Sequence, residues 1–350
     1  MRLNSFDYFR GLAIVFIVAG HSYGPWVAHS FFEKVVASLI AGGTVFFVFI
    51  SGFFFHHIFY PKFRYKSFMV KKTANVLLPY SILSVLAFVC LVLYLNDPPF
   101  AEVFITGQQP DSIFEYLKLF AQYWWTGSLL TAYWYVPFIM IIFAISPVFI
   151  TQIALPIKTQ IGLFILLLCL ATLIQRPMHN LSPIHSVLYF FPVYMLGIIC
   201  SSHKERVFNF LAGKTIMLGC AVILMSVAQL LIYGHAGNFN KVTLFSFNGI
   251  DTMILQKILM CFFLLSVLQQ FEDKEIPLLK HLASASFAIY FLHPWVLYFL
   301  YKSSFIDHVR FLPSFFIFLL TMTIAITASL AIATLFKWLL GDKSRFVIGW

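Results

Sequence analysis

Apolar runs separated by short segments that gather Lys, Arg, Pro and Gly dominate this 350-residue chain. Ten of the runs are long enough, or nearly so, to cross a hydrocarbon layer of about 30 Å at about 1.5 Å per residue. They fall at about 10–29, 39–59, 74–96, 132–153, 159–175, 185–201, 214–233, 249–270, 285–303 and 313–340. The fifth and sixth are short and flanked by Pro177, Pro183 and Pro192. The pattern predicts an all-α polytopic membrane protein of about ten transmembrane helices. With no soluble segment at either end and no tandem repeat of fixed period, residues 1–350 read as one membrane-embedded domain.

The polar segments set the orientation. With the N-terminus cytoplasmic, the inner segments collect sixteen basic residues: Arg2, Arg10, Lys62, Arg64, Lys66, Lys71, Lys72 and nine later ones. The outer segments hold only Lys34, Lys118, Arg176, Lys241 and Arg310. Basic residues concentrate on the cytoplasmic side of membrane proteins, so both termini are expected there. The longest polar segment, about 97–131, is then external and mildly acidic. Its second half is rich in aromatics (Phe114, Tyr116, Phe120, Tyr123, Trp124, Trp125) and reads as an interfacial helix or a re-entrant segment covering a cavity.

Composition agrees. The chain is 61% hydrophobic and 10% charged, with mean hydropathy +0.90, which excludes a soluble globular class. The net charge of +10 is explained by topology, and nucleic acid is not implied as a partner. Five cysteines stand isolated in apolar segments, which suggests neither a disulfide framework nor a zinc site. The first run lacks a small-x-small cleavage site and contains a histidine, so it is read as a retained helix rather than a signal peptide.

Polar residues inside the apolar runs carry the candidate chemistry. Arg10 and His21 are eleven helical steps apart, three turns plus about 20°, and so share one face about 16 Å apart along the axis. Asp7 falls near the same stripe. A histidine at membrane depth usually faces a cavity or a partner, and its ordinary pKa suits it to take and return a hydroxyl proton. Adjacent His56 and His57 point to different faces and make an unlikely metal pair; no metal site is expected. Asp251 and Lys257 lie on different faces of the eighth run and do not pair locally. No Gly-x-Ser-x-Gly elbow or phosphate-binding glycine loop is present.

Four segments in order are similar to signatures of the integral-membrane acyltransferase family 3. They are Arg10-x10-His21 preceded by Phe6-Asp7-Tyr8, then Phe46-Phe47-Val48-Phe49-Ile50-Ser51-Gly52-Phe53, Trp134-Tyr135-Val136-Pro137, and Ser284-Ala285-Ser286-Phe287-Ala288-Ile289-Tyr290-Phe291-Leu292-His293-Pro294. The resemblance implies helices around an intramembrane cavity in a bacterial inner (cytoplasmic) membrane. It also implies transfer of an acyl group, most simply acetyl from acetyl-CoA, to a hydroxyl of a cell-envelope glycan or lipid-linked sugar. Acyl-CoA is then a donor substrate rather than a bound cofactor, and membrane lipid is the remaining partner. His21 would act as base or carry the acyl group covalently. Arg10, Lys71 and Lys72 would orient the donor; Asp7, Ser51, Trp134, Tyr135, Ser286, Tyr290 and His293 would line the cavity or meet the acceptor. The family's Arg-x-x-Arg before the third span is here Lys72-Thr73-Ala74-Asn75, which replaces the second charge with an amide. A proton-coupled transporter of an envelope precursor or small amphipathic solute is the alternative, using His21 and Arg10 as a relay, although no inverted repeat is visible.

Overall fold

The computed structural model describes residues 3–105 and 110–350; Arg2 and residues 106–109 of the 97–131 segment lie outside the described residues. Helices make up almost all the regular structure. Among the described residues, eight helices are long and apolar enough to cross a membrane, or nine if one bent pair is a single span, against the ten expected. The all-α polytopic membrane fold is as the hydropathy pattern predicts.

With the bent pair counted, the expected span outside that set is the first. Helix α1 (Asn4–His21) starts earlier than expected and stops at His21, so the histidine ends the helix instead of sitting halfway along it. The second run divides into α2 (Phe31–Ile40) and α3 (Thr44–Phe54), separated at Gly42, whose φ of +75° a side chain would strain. Ser30 and Glu33 form a reciprocal capping box that starts α2. At the other end of α2, the fully buried Lys257 reaches across to donate to the carbonyls of Ser38 (3.0 Å) and Leu39 (2.7 Å). Those carbonyls have lost their helical partners and would otherwise be orphaned in an apolar bundle.

The third span, α4 (Tyr65–Tyr94), carries π-helical turns at Thr73–Leu77 and Phe88–Tyr94. Beside it runs α5 (Ile113–Thr126), the aromatic half of the segment read as external. Phe120 meets Phe88 with ring centroids 5.3 Å apart, and Tyr80, midway along α4, donates to the Trp124 carbonyl. Leu119, Tyr123 and Thr126 are buried while Ile113, Phe114 and Leu117 face outward. One face of the segment therefore packs against the bundle. Gly127, at φ +68°, ends α5, and an irregular stretch leads into α6 (Tyr135–Ala144) and α7 (Ser146–Ile153), which are bent 54° where Pro147 opens α7.

Apart from two four-residue turns, the remaining helices among the described residues are α8 (Ile157–Ile174), α9 (Pro183–Ser202), α10 (Lys204–Leu211), α11 (Thr215–Tyr233), α12 (Thr252–Leu268), α13 (Pro277–Lys302), α14 (Ser314–Leu340) and a short α15 (Ser344–Ile348). Strands β1 (Arg176–Pro177) and β2 (Asn240–Lys241) pair in parallel beyond α8 and α11. Asp251 starts α12 by accepting from the Met253 (2.8 Å) and Ile254 (3.2 Å) amides. It does not pair with Lys257, as the sequence indicates.

Helix α1 lies alongside α13 and parallel to it. Asn4 bonds Glu272, Gly11 faces the Leu279 carbonyl, and the His21 ring faces His293. Lys337 at the end of α14 stacks on Trp350, whose ring also meets His281 near the start of α13. Both described chain ends are thus on one face of the bundle. Phe6 stacks on Phe53 with centroids 3.5 Å apart, fastening α1 to α3. Helices α3 and α9 approach backbone to backbone, where Gly52 lies against the Tyr194 carbonyl and Gly197 against that of Phe49. Small residues let membrane helices pack backbone to backbone. A Cβ at Gly52 would overlap a carbonyl that cannot move without moving the helix. Gly52→Val is expected to cost about 3 kcal/mol or more, seen as a lower thermal midpoint in detergent and loss of the monodisperse folded fraction.

Candidate active site

Two irregular stretches of backbone meet where α1 ends. After His21 the chain leaves the helix through Ser22, whose hydroxyl donates back to the Val18 carbonyl (2.8 Å), and then through Gly24 and Pro25. The stretch after Gly127 brings Thr131 against it, placing Thr131 Oγ1 2.9 Å from His21 Nδ1. Tyr301 donates to the His21 carbonyl at 3.4 Å. Irregular backbone inside a membrane bundle is tolerated where it lines a cavity, and a cavity lies here.

That cavity offers about 20 Å³ for the centres of water-sized groups, enough for a small polar group. His21, Thr44, Trp134, Tyr135 and Tyr290 line it together with Ile17, Phe47, Ala132 and Phe287. Tyr135 Oη is 3.4 Å from Ser51 Oγ, which joins α3 to the wall. Tyr290 donates to the Ala132 carbonyl, and Tyr133 donates to that of Phe291 (3.1 Å) while accepting from Trp295 Nε1 (3.0 Å). These hydroxyls fix the irregular stretch that carries Thr131.

His293 faces His21 with ring centroids 5.5 Å apart. Its Nδ1 is 2.8 Å from the Ile289 carbonyl, which can only accept, so Nδ1 carries the proton and Nε2 is an acceptor. Nε2 is buried and has no hydrogen-bond partner among the described residues. The site thus holds two imidazoles, two phenols and two threonine hydroxyls in apolar surroundings, which is equipment for moving a proton to or from a hydroxyl.

The candidates named from sequence separate into groups. His21, Trp134, Tyr135 and Tyr290 line the cavity, with Ser51 and His293 bonded to it or facing it. Ser286 is buried and donates to the Ala283 carbonyl of its own helix. Asp7 and Arg10 approach to 4.0 Å on α1, about 21 Å and about 16 Å along the axis from His21. Lys71 is exposed, whereas the Lys72 ammonium lies over the rings of Phe143 (4.3 Å) and Phe59 (4.5 Å), so the two point apart. His56 bonds Ser201 and stacks on Tyr60, while the His57 ring meets Phe53.

Three residues had no role assigned from sequence. Thr44 and Thr131 sit at helix breaks that hydropathy does not resolve. Arg176, counted only as an outer-segment charge, is 6% exposed, and its guanidinium lies 5.1 Å from the Trp134 ring centroid and 5.6 Å from that of Phe190. Burial pulls its pKa below the usual arginine value, against the opposing influence of Tyr189 and Asp251. The available signal was an arginine between proline-bounded short spans.

A family description, the acyltransferase domain, matches residues 3–336, nearly the whole chain. The chain belongs to acyltransferase family 3. Membership makes this integral-membrane protein an enzyme that transfers acyl groups other than amino-acyl groups, and it does not favour the transporter alternative. No curated protein and no solved structure matches the chain.

Removing the Tyr290 hydroxyl leaves the buried Ala132 carbonyl without its donor. Tyr290→Phe in this acyltransferase is therefore expected to cost about 1–3 kcal/mol, measured as a lower thermal midpoint of the purified protein.

Proposed function

We propose that this acyltransferase moves an acetyl group from acetyl-CoA to a hydroxyl of a cell-envelope glycan or lipid-linked sugar, with His21 as general base. The observation that carries the reading is the His21 imidazole, held by Thr131 in a cavity walled by Tyr135 and Tyr290. The acceptor hydroxyl gives its proton to His21 as its oxygen attacks the acetyl carbonyl. The carbon–sulfur bond breaks, and the departing coenzyme A thiolate takes the proton back. The Tyr135 hydroxyl, 3.4 Å from Ser51 Oγ, would donate to the developing oxyanion, while that of Tyr290 is already given to the Ala132 carbonyl. The basic asymmetry supports a cytoplasmic N-terminal face in the bacterial inner membrane, and donor entry there. Arg10 and the exposed Lys71 would meet the donor phosphates at that face, with Lys72 held nearby in its aromatic cage.

The test uses purified protein in nanodiscs with radiolabelled acetyl-CoA and an envelope-glycan fraction. His21→Ala is expected to lower glycan-dependent coenzyme A release by at least about 100-fold with folding unchanged, in line with the usual contribution of a general base. Wild-type turnover in folded His21→Ala would remove the assigned role. Label retained on the protein without acceptor would instead favour a covalent route. Lys71→Ala with Lys72→Ala is expected to raise the KM for acetyl-CoA while sparing kcat; an unchanged KM would take both lysines out of the donor site.

A further inference from the structure

A second polar centre lies beside the cavity, on the face of the bundle opposite the N-terminus. Arg176 is almost fully buried, and its Nη2 donates to Asn180 Oδ1 at 3.0 Å. Its Nε is buried and has no partner among the described residues. No carboxylate among those residues forms an ion pair with it: Asp251, the nearby acid, is occupied by the Tyr189 hydroxyl (2.8 Å) and by two amides of α12. A guanidinium stripped of water and bonded to one neutral acceptor is costly unless an anion completes it.

The surrounding backbone is built to hold the side chain. Gln175, His179 and Asn180 all have positive φ, of 58°, 51° and 57°. Such strain in residues with side chains persists only where the surroundings enforce it, and it clusters at binding sites. Gln175 is tied to the carbonyls of Asn248 (3.2 Å) and Gly249 (3.0 Å), and the Arg176 amide to that of Phe239 (3.1 Å). Trp134 joins the two centres, since it lines the His21 cavity and supports the guanidinium.

We propose that Arg176, seated on Trp134, docks an anionic group of the acceptor, a phosphate or a carboxylate, so that a neighbouring hydroxyl lies in the His21 cavity. This rests on the acyltransferase reading above. The anion belongs to the acceptor because Arg10, Lys71 and Lys72 lie toward the N-terminal face. Arginine suits the task, as its planar fork meets two oxygens of a phosphate or carboxylate at once.

The test measures binding by calorimetry on the full chain in zwitterionic nanodiscs, with a hexose 1-phosphate, a hexuronate and the neutral methyl hexoside. Wild type is expected to bind at least one anionic sugar about tenfold or more tightly than the neutral one, and the tighter of the two identifies the group. Arg176→Gln should abolish the preference and leave methyl hexoside binding unchanged, while Arg176→Lys keeps part of it. Equal affinity for all three sugars in wild type, or an undiminished preference in Arg176→Gln, would overturn the proposal. Should Arg176→Gln fail to fold, the wild-type comparison and Arg176→Lys decide. Coenzyme A release is followed in parallel. Arg176-dependent anion binding without turnover would contradict the transfer reading alone, whereas turnover with charge-blind binding would contradict the anion site alone.

Discussion

Every helix break inside an apolar bundle frees backbone carbonyls that have no water to turn to, and each must find a donor. This protein supplies the donors from side chains. Lys257 serves the end of α2, Tyr80 the end of α5, Tyr290 the Ala132 carbonyl and Tyr301 that of His21. Tyr8 does the same for Lys274, and Tyr123 for Pro99. An unmet group costs more than a made bond contributes, so these pairs fix where each break is allowed.

The breaks are also where the chemistry collects. His21 is the last residue of α1, Thr44 opens α3, and Thr131, Ala132 and Trp134 belong to the stretch between α5 and α6. An unbroken helix would turn these side chains onto neighbouring helices and leave no room between them. The rigid parts carry the rest: α13 supplies Tyr290 and His293, and the glycine-mediated approach of α3 to α9 holds the Ser51 wall in place. The irregular backbone around His21 therefore keeps its conformation through tyrosines that donate to its carbonyls.

Much of this was legible in the sequence, for identifiable reasons. Spans show because hydropathy is a local property, and His21, Trp134, Tyr135 and Tyr290 show because family signatures mark them. The end of α1 at His21 did not show, because Ser22, Gly24 and Pro25 follow an apolar run and precede another. Helix α5 showed as an aromatic-rich segment, but Asp111, Glu115 and Lys118 at its start keep its hydropathy from telling which face packs. Lys71 and Lys72 looked like one patch; consecutive residues on a helix diverge by about 100°, and one went to solvent and the other into an aromatic cage. Arg176 and the carbonyl-bonding tyrosines were invisible as such, since their roles exist only through partners far away in the chain.

We propose that acyl transfer takes place at the junction of the α1 and α5–α6 breaks. The most direct test is a structure of the protein in nanodiscs with a non-transferable thioether analogue of acetyl-CoA. The account predicts the acyl group in the cavity between His21, Tyr135 and Tyr290, with the nucleotide end at the face that carries the N-terminus. An acyl group bound elsewhere, out of hydrogen-bonding reach of His21, would contradict it.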